Sequence, residues 1–264
     1  MNRGNLSRKK QILYKMIMTA LFAALSFSGT VIQARIPTGG FTHFGNFFCI
    51  LGGLLCGGLV GGFSGALGMG LYDLLFYPST FIRTLIAKFL MGFLTAIVFR
   101  FFVKAKKNPK PALLSTVVLS GAVSLTCWIL YFIPVTFSFG GKEKEISASV
   151  WLVVFSTLFF LLLTFATIFA KKLKKTTQAV VFASTIGIIV NILCEMSVRI
   201  ATEMIAGATF TSSFLYAVSK VPAAVLNGIT TIVCVSLIYY PLYQATHSLN
   251  RLDDLDIESY ERSI

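Results

Sequence analysis

Apolar stretches long enough to cross a bilayer alternate along almost the whole chain with short clusters of lysine and arginine. A helix needs about 20 apolar residues to span the hydrocarbon core. In lipid every backbone N–H and C=O must be satisfied within the chain. This pattern leaves an all-α, polytopic membrane helical bundle as the fold class. Composition agrees: 12% of the 264 residues are charged, about half the usual ~25% of a soluble domain.

Hydropathy and turn residues place eight membrane segments at approximately 12–34, 44–60, 61–77, 80–103, 112–135, 149–170, 178–206 and 213–240. The whole chain, 1–264, is expected to form one membrane domain: an N-terminus over 1–11, a bundle over 12–240 and a tail over 241–264. The second and third segments are short and joined by a glycine-rich turn. Arg8-Lys9-Lys10 before an apolar run has the look of a signal peptide, but the many spans downstream argue for a retained first helix.

The basic clusters set the orientation. Arg3, Arg8, Lys9, Lys10 and Lys15 open the first segment, and Arg100, Lys104, Lys106, Lys107 and Lys110 follow the fourth. Lys171, Lys172, Lys174 and Lys175 follow the sixth, and Arg251 and Arg262 lie in the tail. With eight crossings all of these share one side, opposite Arg35, Arg83, Lys142 and Lys144. The positive-inside rule then puts both termini in the cytoplasm of a cell-membrane protein. The same distribution explains the net charge of +13 without a nucleic-acid partner. The acidic tail, Asp253 to Glu261, reads as a solvated end.

Cys49, Cys56, Cys127, Cys194 and Cys234 lie in apolar stretches without a CxxC pair and read as small buried hydrophobes. No G-x-x-x-x-G-K-[ST] occurs, so the chain has no P-loop with which to hydrolyse ATP. His43 has no second histidine near it, which argues against a metal site.

Charge at membrane depth costs about 3 kcal/mol on insertion scales, so each such residue is a site candidate. Glu195, Arg199 and Glu203 recur at spacing four on the seventh segment, which stacks them on one helix face. Lys220 enters at similar depth from the eighth. Glu195 and Arg199 could satisfy each other, or the cluster could take a polar substrate. The stretch Arg35-Ile36-Pro37-Thr38-Gly39-Gly40-Phe41-Thr42-His43-Phe44-Gly45-Asn46 reads as an irregular loop entering the second segment. Tyr72, Asp73 and Tyr77 close the third segment, and Asp73 could pair with Arg83 or Lys88. Gly57, Gly61 and Gly65 repeat every four residues, a spacing that lets helices approach closely.

The loop just quoted, the run Gly52-Gly53-Leu54-Leu55-Cys56-Gly57-Gly58-Leu59-Val60-Gly61-Gly62-Phe63-Ser64-Gly65-Ala66-Leu67-Gly68 and the run Leu71-Tyr72-Asp73-Leu74-Leu75 carry a family likeness. Together they resemble the S components of energy-coupling factor (ECF) importers, most closely the riboflavin-type group, over roughly the first hundred residues. A weaker echo lies in Lys220-Val221-Pro222-Ala223-Ala224-Val225-Leu226-Asn227-Gly228. The resemblance implies a substrate-binding subunit, not an enzyme, that takes a vitamin or precursor from outside without a cofactor. Its partners would be a T component and two ATPase subunits. The loop 35–46 would cover the site, and Ala20 and Ala24 on the first helix would stand at the docking surface.

Two departures accompany the likeness. The family usually has six helices, so 112–135 and 149–170 would be an extra pair. The family's loop aspartate is Asn46 here. Nickel and cobalt members carry a histidine near the N-terminus, whereas this chain begins Met1-Asn2-Arg3, which disfavours a metal cargo. The substrate contacts expected are Arg35, His43, Asn46, Tyr72, Asp73, Glu195, Arg199, Glu203 and Lys220. A riboflavin-like, a pyridoxine-like and a pyrimidine cargo fit equally. The rival classes are a stand-alone secondary transporter of a small polar solute and an intramembrane enzyme. Glu195-x-x-x-Arg199 resembles a motif of membrane-embedded prenyl-protein proteases, but Cys194 stands where they have a glutamate, and His247 is in the tail.

Overall fold

The computed structural model describes residues 8–35, 41–133, 135–139, 142–146, 150–170, 172, 174–246 and 257–262. The centre of the expected covering loop, residues 36–40, lies outside the described residues. So do residues 1–7 with Arg3, the stretch 247–256 with His247 and Arg251, Lys171, and the side chains of Arg8, Arg35, Lys142 and Lys144.

The described chain is a helical bundle: α1 (Arg8–Val31), α2 (Gly45–Cys56), α3 (Gly58–Phe76), α4 (Phe81–Lys104), α5 (Lys110–Phe132), α6 (Val150–Ala170), α7 (Lys175–Ile205), α8 (Phe210–Thr246) and a short α9 (Ile257–Arg262). Among the described residues six helices are long and apolar enough to cross a membrane, namely α1, α3, α4, α5, α7 and α8. The 12 residues of α2 make about 18 Å of helix at 1.5 Å per residue, short of the ~30 Å hydrocarbon core. It is a half-length element. Its chain reverses into α3 at Gly57, whose φ of 102° lies in the left-handed region that a side chain disfavours.

Helices α1, α2, α3, α4, α7 and α8 share one core, while α5 and α6 pack chiefly on each other. Within the core α2, α3 and α4 meet almost backbone to backbone. A Cβ on Gly61 would collide with Gly53 and stand 3.1 Å from the Gly92 carbonyl oxygen. Small residues allow that approach, and lipid-embedded helices gain their packing energy from it. Gly65 likewise faces Cys49 and the Lys88 carbonyl, and Gly57 lies against the Arg100 guanidinium.

Two antiparallel hairpins decorate the bundle: β1 (Gln33–Arg35) with β2 (Phe41–His43), and β3 (Val135–Phe139) with β4 (Lys142–Ile146). The first is fixed to the bundle. Phe44 N–H donates to the Gly29 carbonyl at 2.9 Å, Gln33 Nε2 donates to Tyr72 Oη at 2.8 Å, and Phe41 stacks tilted on Tyr77.

The opposite end is lysine-rich, and there α9 differs from the solvated tail read in the sequence. Ile257 and Tyr260 are buried, Tyr260 donates to the Lys107 carbonyl at 3.0 Å, and Lys106 Nζ reaches Ser259 Oγ at 2.7 Å. The Glu261 carboxylate accepts from the backbone N–H groups of Lys175 and Thr176 at 3.2 and 2.8 Å. A negative charge at these orphan N–H groups is favourable. Two apolar side chains and one acidic cap therefore outweigh the polar look of the segment.

Candidate functional site

Beneath the β1–β2 hairpin, polar side chains from five elements converge in an otherwise apolar bundle. Lys88, on α4, faces α7, where its Nζ donates to Glu195 Oε1 at 2.7 Å and to Asn191 Oδ1 at 2.9 Å. Lys88 and Asn191 are 5% and 3% exposed, so the ammonium is withdrawn from water and depends on these two acceptors. Asn191, Glu195, Arg199 and Glu203 follow one another at spacing four on α7, which is why one helix face carries all four. Glu195 Oε1 is taken by Lys88, while Oε2 has no hydrogen bond from the described residues. Glu195 is thus paired with Lys88, not with Arg199.

His43 joins the hairpin to α8. Its ring Nδ1 accepts from Gly45 N–H at 3.2 Å, and its Nε2 stands 3.3 Å from Asn227 Nδ2. His43 N–H donates to Asn227 Oδ1 at 3.4 Å. With Nδ1 accepting, the single proton of a neutral ring sits on Nε2 and faces the NH₂ of Asn227. One donor here lacks an acceptor. On β2, outside the spans, burial first and the Lys88 charge second lower the His43 pKa from 6.5 to about 4, with Glu195 opposing. The imidazole is therefore neutral near pH 7.

Asn46, in the first turn of α2, is 2% exposed, and its Oδ1 has no hydrogen-bond partner among the described residues. A buried acceptor left unmade costs about 1–3 kcal/mol. A donor on a bound molecule would remove that cost.

The remaining sequence candidates divide. Tyr72 is buried, accepts from Gln33 and packs edge-on against Phe27. Asp73 pairs with neither Arg83 nor Lys88. Its Oδ2 accepts from Thr80 Oγ1 and Thr84 Oγ1, tying α3 to α4 across the short turn at 78–80. Arg199 and Lys220 flank the Tyr216 ring at 5.3 and 5.4 Å from its centroid. Glu203 is half-buried one turn beyond Arg199. Arg35 pairs with Phe41 in the hairpin by its backbone. On α1, Ala20 and Ala24 are exposed beside Ile17 and Leu21, which are 56% and 50% exposed.

Sequence reasoning missed Asn191 and Asn227 and left Lys88 only as a possible partner of Asp73. The cost of a charge at membrane depth would have singled out Lys88. Asn191 extends the spacing-four series, and Asn227 lies in the 220–228 echo.

Comparison with known proteins bears on the same elements. The family described as ECF-type riboflavin transporter, S component matches residues 10–158, more than half of the chain and the stretch from α1 into α6. A Pyrococcus woesei protein described as "Uncharacterized protein in gap 3'region" is 35% identical over 103 residues. That match covers 38% of this chain and 66% of the relative, so the chain spans just under two thirds of that relative's length. No solved structure matches. A multi-pass helical bundle with its polar cluster under the first hairpin, matched from α1 into α6, belongs to the family of ECF-type riboflavin transporter S components.

Proposed function

We propose that the chain is the substrate-specific membrane subunit of an ECF-type importer, capturing a vitamin or vitamin precursor and passing it inward through a T component and two ATPase subunits. The observation that carries this reading is the Lys88–Glu195–Asn191 cluster lying beside the His43–Asn227 contact. Beneath a covering hairpin, a small polar set inside an apolar bundle is the arrangement that orients one small ligand. The ligand would donate to Asn46 Oδ1 and Glu195 Oε2 and stack against the aromatic group at Tyr72 and Tyr77.

The lysine-rich end is the cytoplasmic one by the positive-inside rule, so the hairpin opens outward and both termini lie inside. The exposed face of α1 through Ile17, Ala20, Leu21 and Ala24 would meet the T component. The role is one of transport without covalent chemistry: the loaded subunit reorients on its partners, which supply the ATPase.

Equilibrium binding to the purified chain over a panel of heterocyclic vitamins tests this. One member should bind with an affinity that Lys88→Met, Glu195→Gln and Arg199→Ala each lower at least tenfold while the chain stays folded. Unchanged affinity in all three folded variants would overturn the assignment of the site. Uptake by the lone chain in proteoliposomes would instead favour a self-sufficient transporter.

A further inference from the structure

Three cations at the hairpin end of the bundle have no carboxylate partner among the described residues. Among the described residues the one ion pair there is Lys88–Glu195, and Asp73 Oδ2 is occupied by Thr80 and Thr84. Arg83, on α4, keeps its Nε buried without a hydrogen bond, within electrostatic reach of Arg199, Glu195, Asp73 and Tyr216. Arg199 from α7 and Lys220 from α8 converge on one ring, that of Tyr216. Long cations at a membrane surface ordinarily turn apart toward water. Here Arg83 and Arg199 lie within electrostatic reach of each other and of Glu195, whose Oε1 is already held by Lys88. Lys220 shares the Tyr216 ring with Arg199, and one carboxylate against these cations leaves an excess of positive charge.

We infer that Arg83, Arg199 and Lys220 form an anion subsite at the mouth of the capture site, so that the cargo carries a carboxylate or phosphate. This deepens the function proposed above and rests on it. The deeper acceptors, Asn46 Oδ1 and Glu195 Oε2, take the N–H donors of the cargo. The mouth takes its negative group, with the planar guanidinium forks suited to the paired oxygens of either anion. Flat cargo without such a group would leave that positive excess unanswered.

Thermal unfolding of the full chain in phosphatidylcholine nanodiscs tests this, with inorganic phosphate titrated against chloride at constant ionic strength. Phosphate should raise the midpoint saturably, by about 3 °C at tenfold excess over its dissociation constant, and chloride should not. Arg83→Gln and Arg199→Gln should each abolish the response, and Arg199→Lys should retain part of it. A response no larger than that of chloride, or one unchanged in both glutamine variants, overturns the subsite. An anionic lipid headgroup is the other source of the same chemistry. If phosphatidylglycerol in the discs suppresses the phosphate response, the group belongs to lipid and the assignment to cargo falls. Because the phosphate response needs no vitamin, it stands or falls separately from the panel experiment. A retained phosphate response with no vitamin bound would sink the capture reading and leave the subsite in place.

Discussion

At the scale of single residues, the Lys88–Glu195 pair has more to lose than to gain. A buried ion pair adds little net stability, yet removing one partner strands the other charge. Glu195 is 24% exposed, so Lys88→Met should cost about 2–3 kcal/mol, below the ~3–5 kcal/mol of a fully enclosed pair. The double variant Lys88→Met with Glu195→Leu should recover most of that loss in a denaturation experiment, because no charge remains to be stranded. His43 makes a second residue-scale prediction. Its folded pKa, about 4, lies below the ordinary 6.5, so below pH 6.5 the unfolded chain binds more protons than the folded one. Stability should fall as pH drops from about 6.5 to 4 and level off beneath. His43→Gln should flatten that part of the profile of midpoint against pH. An unchanged slope in the variant would show that another group titrates.

At the scale of elements, close glycine packing and the α9 cap carry the tertiary structure. Gly61→Ala forces a methyl into the Gly53 and Gly92 backbones, and overpacking of this kind costs about 1–3 kcal/mol. Gly207, whose neighbourhood is open but whose φ is 94°, should be less sensitive to the same change in a thermal-shift comparison. Glu261→Ala should remove about 1 kcal/mol by uncapping α7, with exchange at the amides of Lys175 and Thr176 rising before the rest of the helix. Much of this scale was legible. The spacing of Gly57, Gly61 and Gly65 pointed to close helices, and the spacing of Glu195, Arg199 and Glu203 to one polar face. Spacing says which residues share a face, but not what stands opposite, so it offers Arg199 as one possible partner of Glu195 but not Lys88, which α4 supplies. The docking of α9 was hidden because its acidic composition outweighs the pair Ile257 and Tyr260, three residues apart on one helix side. Asn227 escaped because an asparagine in an apolar helix carries no charge signal, and only the hairpin folding back onto α8 gives it a partner.

At the scale of the whole molecule, the two ends have different chemistry. One collects the basic residues from Arg100 to Lys110 and from Lys172 to Lys175, closed by α9. The other carries the hairpin, the buried polar cluster and the cations Arg83, Arg199 and Lys220. Helix α1 runs between them with its outer face, through Ala20 and Ala24, left unpacked. Replacing both alanines by leucine should abolish co-purification with a T component and leave cargo affinity within twofold, since neither residue touches the polar cluster. The most direct test of the capture-subunit account is native mass spectrometry of the chain, expressed in its own host and extracted gently. The account predicts a small bound heterocycle bearing a negative group, together with a T component and two ATPase subunits. A chain that appears without ligand and without partners, yet takes up solute alone in proteoliposomes, would contradict it.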